Sequence, residues 1–256
     1  MSKIREAFSN SKAFIAFLTA GDPTADCTVN YILEMERAGA DLIEIGIPFS
    51  DPTAEGVVIQ EASLRALEGG ITTESVFQIV ERVRKQSQVP LALMTYLNPV
   101  FYYGYEAFFS RCHSLGVDGI IVPDLPFEEK AEVERVAARF GVDVVSLIAP
   151  TSKERIRTIA KEAKGFIYVV SSMGVTGVRS KITTDIAGMV KEIRAVTDTP
   201  CAIGFGISTP EQAAEMVGYA DGVIVGSAIV KLIEKYGANA EEELYRYISS
   251  MKAAVK

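Results

Sequence analysis

The chain has 256 residues, of which 48% are hydrophobic and 23% charged, the balance of a folded protein rather than a disordered one. Its 26 basic and 33 acidic residues give a net charge of −7, which argues against sequence-independent binding to nucleic acid or to an anionic membrane, because both require a basic face. The single histidine and three cysteines far apart in the sequence argue against a structural zinc site and a disulfide framework. We therefore expect no metal.

Neither a targeting segment nor a membrane span is expected. The first residues, Met1–Phe8, are too polar for a secretory signal. No apolar run approaches the roughly 20 residues of a spanning helix. We therefore expect a soluble protein of the reducing cytoplasm.

Eight short apolar runs recur along the chain and predict its strands. Most of them are continuous rather than alternating, which is typical of strands buried on both faces of a parallel sheet. Between them lie segments with helical spacing, such as 128–140. Thr151–Glu154 predicts a helix-capping box, and Thr209–Gln212 predicts another with proline at its first helical position. The predicted strands are Phe14–Leu18, Leu42–Ile45, Leu91–Thr95, Gly119–Val122, Val144–Ile148, Phe166–Val170, Cys201–Gly204 and Gly222–Val225.

Eight strands that alternate with helices over about 250 residues predict an α/β fold, the (β/α)8 TIM barrel. The alternative is a doubly wound open sheet, which usually carries a glycine-rich nucleotide fingerprint after its first strand. Leu18–Pro23 is not such a fingerprint. Because no linker or change of composition divides the chain, we predict one barrel domain over residues 1–256.

Glu44 stands inside the second predicted strand, where a charged residue is out of place. Strand alternation puts Leu42 and Glu44 on one face, with Ile43 and Ile45 on the other. A carboxylate buried in such a strand is costly unless it is paired or protonated, and desolvation raises its pKa toward neutrality. Because this suits a general acid–base, we favour a catalytic role over the alternative, a structural ion pair at the barrel rim.

The active site of a barrel lies at the carboxyl ends of its strands, where several loops carry candidate residues. The long loop Pro48–Gly56 holds Asp51 and Glu55, and it is either functional or an ordinary surface turn. Glycine-containing loops after the last strands fit a phosphate site, because glycine lets backbone N–H groups approach an anion at a helix start. These loops are Gly174–Gly177, Gly204–Ser208 and Val225–Ala228.

Four apolar side chains near strand ends, Phe17, Met94, Tyr168 and Phe205, either pack in the core or line a pocket at the barrel mouth. The residues alone therefore predict a phosphate cradle beside an apolar cavity with one or two carboxylates. Such a site fits acid–base chemistry on a phosphorylated molecule with a hydrophobic part.

The segment Leu42–Gln60, with its Phe-Ser-Asp-Pro element, resembles the signature of the tryptophan synthase α subunit family, and the similarity extends over essentially the whole chain. The resemblance implies a phosphate-binding TIM barrel that cleaves indole-3-glycerol phosphate into indole and glyceraldehyde 3-phosphate by a retro-aldol reaction. The other motifs that carry it are Phe17–Pro23, Met94–Pro99, Val122–Pro126, Gly174–Gly177, Gly204–Ser208 and Gly226–Val230.

The resemblance also implies site residues. Glu44 matches the catalytic glutamate, which protonates C3 of the indole and takes the proton of the glycerol hydroxyl. Glu55 matches the second carboxylate, which holds the indole N–H, and Thr176 lies in a loop that closes over the substrate and touches Glu55. The implied phosphate-binding residues are Gly177, Phe205, Gly206, Gly226 and Ser227. The implied walls of the indole pocket are Phe17, Ile59, Met94, Ile121 and Tyr168.

A partner is implied as well. Members of the family resembled work as an α2β2 complex, in which indole passes through a tunnel to a β subunit that carries pyridoxal phosphate. This chain itself is expected to hold no cofactor. Asp51 and the segment 96–101, which includes Asn98, are implied to lie on the side that faces the β subunit.

The sequence departs from the family pattern at Ala54–Val57, where the family motif reads Ala-Asp-Gly-Pro. Glu55 keeps the charge but moves it by about 1.5 Å, and a misplacement near 1 Å can cost roughly a hundredfold in rate. Val57 in place of proline frees the loop backbone. The altered Glu55 leaves open a weak or silent subunit that mainly activates a β subunit. Two further alternatives are a stand-alone lyase and another phosphate-handling barrel such as a sugar-phosphate isomerase.

Overall fold

The computed structural model describes residues 3–171, 185–204 and 206–256. Along these residues strands alternate with helices, and none of the helices there has both the length and the apolar character to cross a membrane. The strands are β1 Ala13–Thr19, β2 Leu42–Gly46, β3 Leu91–Met94, β4 Gly119–Ile121, β5 Asp143–Val144, β6 Ser146–Ile148, β7 Ile167–Val170, β8 Cys201–Gly204 and β9 Gly222–Val225. The α-helices are α1 Lys3–Glu6, α2 Ala25–Arg37, α3 Val57–Glu68, α4 Thr73–Arg84, α5 Leu97–Tyr103, α6 Tyr105–Ser114, α7 Ala131–Arg139, α8 Lys153–Glu162, α9 Ile186–Arg194, α10 Pro210–Val217, α11 Ser227–Tyr236 and α12 Glu241–Ala254, and a 3-10 helix spans Gly237–Asn239.

The strands form one parallel sheet in the order β5-β4-β3-β2-β1-β9-β8-β7-β6. Its two edge strands, β5 and β6, are consecutive in the chain and are separated only by Val145, so the sheet closes on itself as a barrel. This confirms the predicted TIM barrel.

The fifth predicted strand, Val144–Ile148, is wrong as one continuous strand. The backbone N–H of Val145 still donates to the carbonyl of Ile120 in β4 at 2.9 Å. From Ser146 onward the chain pairs with β7 instead, with Ser146 opposite Ile167. The strand is divided because it changes partner at the point where the barrel closes.

Period-two alternation along the strands separates two buried cores. In β1, Phe14, Ala16 and Leu18 face the helices around the barrel, whereas Ile15 and Phe17 belong to the cluster that fills its interior. Both faces of the strands are therefore buried, which explains why the apolar runs are continuous rather than alternating.

Helix starts follow the sequence signals in part. At α10 the Thr209 hydroxyl and the Gln212 side chain form the predicted capping box, which is confirmed. At α8 the predicted box at Thr151–Glu154 is wrong by one residue, because Ser152 has the extended backbone of an N-cap and its hydroxyl accepts from the Arg155 N–H. The helix predicted over 128–140 is present but begins at Ala131.

Candidate active site

Glu44 lies in β2 with its side chain toward the interior of the barrel. In the parallel ladder it stands between Phe17 of β1 and Ala92 of β3. The carboxyl group is fully buried, and among the described residues neither of its oxygens has a hydrogen-bond partner. Burial raises the pKa of Glu44 to about 8. The group is therefore mostly protonated at neutral pH and can give a proton to a bound molecule.

Glu55 ends the loop between β2 and α3 and is only 8% exposed. Within the described ranges its Oε2 atom has no hydrogen-bond partner, and burial raises the pKa of the carboxyl group to about 7. The alternative of an ordinary surface turn is therefore wrong for Glu55, although Asp51 in the same loop is exposed.

The residues implied as walls of the indole pocket come together in the barrel interior. Glycines let two of them lie close against the strands. A Cβ at Gly46 would stand 2.8 Å from the ring of Phe17, and one at Gly204 would stand 2.5 Å from the ring of Tyr168. Burial and the nearby charge of Glu44 raise the pKa of Tyr168 well above its usual range, so this wall stays a neutral phenol. The interior cluster contains Phe17, Ile59, Met94, Ile121 and Tyr168.

A cavity of about 440 Å³ opens where the barrel wall is divided, between β4 and β6. Its inner lining includes Met94, Leu147 and Val170, and Ala54 contributes from the loop that carries Glu55. This lining is largely apolar, but of the residues implied for the indole pocket it contains only Met94, and neither Glu44 nor Glu55 lines it. Across 3–171, 185–204 and 206–256, no cluster of His, Cys, Asp or Glu side chains is arranged to hold a metal ion.

Two of the predicted phosphate loops, Gly204–Ser208 and Val225–Ala228, begin at the ends of neighbouring strands, because β8 and β9 pair side by side. The third, Gly174–Gly177, lies outside the described residues. Gly206 follows β8 with a φ of +81°, a conformation that favours glycine. Gly226 is the N-cap of α11, and Ser227 is its first residue. The free backbone N–H groups of a helix start can receive an anion there. Thr176, Gly177 and Phe205 lie outside the described residues.

The side implied to face a partner carries exposed aromatic residues. Asp51 and Asn98 are both exposed, and Phe101 and Tyr102 of α5 are 67% and 92% exposed. A cleft of about 490 Å³ lies between α5 and the loop after β2. The segment 96–101 is not wholly on the surface, because Tyr96 is buried.

Two side chains that hold the Glu55 loop were missed in the sequence. The hydroxyl of Tyr96 accepts a hydrogen bond from the backbone N–H of Ala54 at 3.0 Å. The side-chain amide of Gln60 donates to the backbone carbonyl of Glu55 at 2.7 Å. The only sequence signal for Gln60 is its place in the first turn of the helix after the loop, and Tyr96 has none, because its contact spans 42 residues.

The chain is similar in sequence to known proteins of one family. The family model described as Tryptophan synthase alpha chain matches residues 4–256. The tryptophan synthase alpha chain of Lacticaseibacillus casei is 49% identical over 255 residues, which cover 100% of this chain and 96% of the relative. That of Lactiplantibacillus plantarum is 51% identical over 234 residues, or 91% and 89% of the two chains.

Solved structures similar to this chain belong to the same family as the sequence relatives. The tryptophan synthase alpha chain of Legionella pneumophila superposes with a TM-score of 0.89 at 37% identity, covering 100% of this chain and 97% of the other. A chain of the tryptophan synthase α2β2 complex of Pyrococcus furiosus gives 0.84 at 36% identity, with 95% and 98% covered. This chain therefore belongs to the tryptophan synthase alpha chain family.

Proposed function

We propose that this chain performs the reaction of its family, the retro-aldol cleavage of indole-3-glycerol phosphate into indole and glyceraldehyde 3-phosphate, with Glu44 as the general acid–base. The observation that carries the proposal is the environment of Glu44, whose carboxyl group is fully buried and has a pKa raised to about 8. Such a group both gives and takes a proton near neutral pH.

In this mechanism Glu44 moves one proton at each of two substrate positions. Protonated Glu44 donates to C3 of the indole ring and is left as a carboxylate. The carboxylate then takes the proton of the hydroxyl on the carbon bonded to C3. The bond between that carbon and C3 breaks, and its electron pair returns to the ring. Indole and the aldehyde of glyceraldehyde 3-phosphate result, and Glu44 is protonated again.

Glu55 supports the ring nitrogen in this scheme. Its carboxylate accepts the indole N–H, which becomes more acidic when C3 is protonated and the ring carries a positive charge. A pKa of about 7 leaves the group partly ionised at neutral pH. Glutamate is one methylene longer than the usual aspartate, so the loop backbone must place Glu55 where its carboxylate reaches the nitrogen.

The remaining residues bind rather than react. Backbone N–H groups at the carboxyl ends of β8 and β9 would hold the phosphate, because free donors at a helix start favour an anion. The apolar side chains of the interior would enclose the indole ring and exclude water. We assign the phosphate to Gly177, Phe205, Gly206, Gly226 and Ser227, and the ring to Phe17, Ile59, Met94, Ile121 and Tyr168. We assign Thr176 to a loop that closes over the substrate.

We further propose a β subunit as partner, in an α2β2 complex, on the face that carries Asp51 and Asn98. The exposed Phe101 and Tyr102 support this assignment, because aromatic residues are enriched at protein–protein interfaces. Pyridoxal phosphate would belong to the β subunit.

The three cysteines are free, as in proteins of the reducing cytoplasm, where we place this chain.

The test is indole release from indole-3-glycerol phosphate by the purified chain, alone and with a β subunit. Slow release that rises with the partner supports the proposal. Equally fast release with and without the partner would favour a stand-alone lyase. Substrate binding without release in either case would identify a silent subunit and contradict the proposed chemistry.

A further inference from the structure

The loop that carries Glu55 is held by a residue that the mechanism above does not use. Tyr96 is the N-cap of α5 and is 2% exposed. Its ring packs against Phe49 at the start of the loop, with 5.3 Å between the ring centroids. Its hydroxyl accepts the N–H of Ala54 at the end of the loop. Tyr96 therefore bridges the two ends of this loop.

A second contact holds the loop at Glu55 itself. The Gln60 amide, in the first turn of α3, donates to the carbonyl of Glu55. The two hydrogen bonds thus fix backbone groups on either side of the Glu55 Cα atom. They restrain the backbone from which the longer glutamate side chain extends.

Tyr96 also lies close enough to Glu55 for the charge of Glu55 to raise the pKa of Tyr96. Burial raises the pKa of Tyr96 to about 12, and the charge of Glu55 is the next largest cause. The phenol is therefore neutral under all working conditions. Since its oxygen accepts the Ala54 N–H, its own proton is left to be donated.

We propose that Tyr96 is a positioning residue for Glu55, with Gln60 as its counterpart, and that together they hold the loop so that the glutamate carboxylate reaches the indole N–H. This rests on the proposed function. Removing the Tyr96 hydroxyl should let the loop relax, and displacements near 1 Å at a reacting group cost up to about a hundredfold in rate.

The first experiment compares Tyr96→Phe with the wild type in steady-state indole release. We expect kcat to fall by about tenfold to a hundredfold, while KM changes by less than about threefold, because the phosphate loops lie on other strands. The matched control is Tyr31→Phe, which removes a buried hydroxyl that donates to the carbonyl of Gly237. That contact lies at the carboxyl end of α11, remote from the barrel mouth, and kcat should stay near the wild-type value.

The second experiment separates positioning from general stability. In the Glu55→Gln background, adding Tyr96→Phe should lower kcat by less than about a further threefold. A residue that acts only through the Glu55 carboxylate has no carboxylate to position there. Hydrogen exchange of the Ala54 amide should become at least about tenfold faster in Tyr96→Phe, whether or not the chain turns over. Gln60→Met, which removes only the hydrogen bond from the Gln60 amide to the Glu55 carbonyl, should also lower kcat.

Three results would overturn the proposal. They are a kcat of Tyr96→Phe equal to that of Tyr31→Phe, an equal loss in the wild-type and Glu55→Gln backgrounds, and unchanged exchange of the Ala54 amide. Full turnover in Glu55→Gln alone would overturn this proposal together with the proposed role of Glu55. Loss in Glu55→Gln with no effect of Tyr96→Phe would overturn the positioning role alone.

Discussion

Replacing Glu44 by glutamine should abolish most of the activity and stabilise the fold at neutral pH. Glutamine has nearly the size of protonated glutamic acid, so the packing of the barrel interior is kept while the proton is lost. General acid–base catalysis contributes about 10²- to 10⁴-fold, and kcat should fall by that factor.

The gain in stability follows from the ionisation of Glu44. The carboxyl group has a pKa of about 8 in the folded chain and an ordinary value of 4.5. Between these values the folded state holds one proton more than the unfolded state, so the free energy of unfolding falls as pH rises through this window. Since pH 7 lies about 2.5 pH units above 4.5, the loss there is about 3 kcal/mol at about 1.4 kcal/mol per pH unit. Glutamine does not ionise, so the Glu44→Gln variant avoids this loss of stability.

Denaturant unfolding of both proteins at pH 5 and pH 7 measures this difference. The free energy of unfolding of Glu44→Gln should exceed that of the wild type by under about 1 kcal/mol at pH 5 and by about 3 kcal/mol at pH 7. The control is Glu61→Gln, an exposed position on α3, which should change the free energy of unfolding by less than about 0.5 kcal/mol at either pH. An equal difference between Glu44→Gln and wild type at both pH values would refute the reasoning.

Three further predictions concern the site. Glu55→Asp should lower kcat in the indole-release assay by more than about tenfold, since the loop held by Tyr96 and Gln60 is placed for the longer glutamate, and a kept or raised kcat would show that the family geometry still applies. The pH profile of kcat/KM should be bell-shaped, with apparent pKa values of the carboxyl pair near 7 and 8. The reason is that one carboxyl group must be ionised while Glu44 is protonated. A flat profile from pH 6 to 9 would contradict these roles. Gly204→Ala should raise KM for the substrate about tenfold, because the new Cβ displaces Tyr168, and an unchanged KM would place the ring elsewhere.

The barrel and Glu44 could be predicted because both depend on local pattern. Strand alternation places Leu42 and Glu44 on the same face, and in the structure Leu42 belongs to the interior cluster. A strand buried on both faces leaves no exposed side for a carboxylate, so the burial of Glu44 follows from the sequence. The interior position of Phe17 and Tyr168 follows in the same way.

Other features depend on contacts that the local sequence does not contain. The division of the fifth strand at Val145 arises from a change of partner where the barrel closes. At α8, Thr151 and Ser152 are adjacent hydroxyl residues, and only the backbone conformation decides that Ser152 is the cap. The burial of Glu55 depends on a loop held by Tyr96, which the spacing of the loop residues does not reveal.

The most direct test of the central claim is indole release by the wild type and by Glu44→Gln, side by side with a saturating β subunit. If Glu44 is the general acid–base, the wild type releases indole and the variant does so about 10²- to 10⁴-fold more slowly, with a similar KM. Release by Glu44→Gln within twofold of the wild type would contradict the assignment of the proton transfers to this residue.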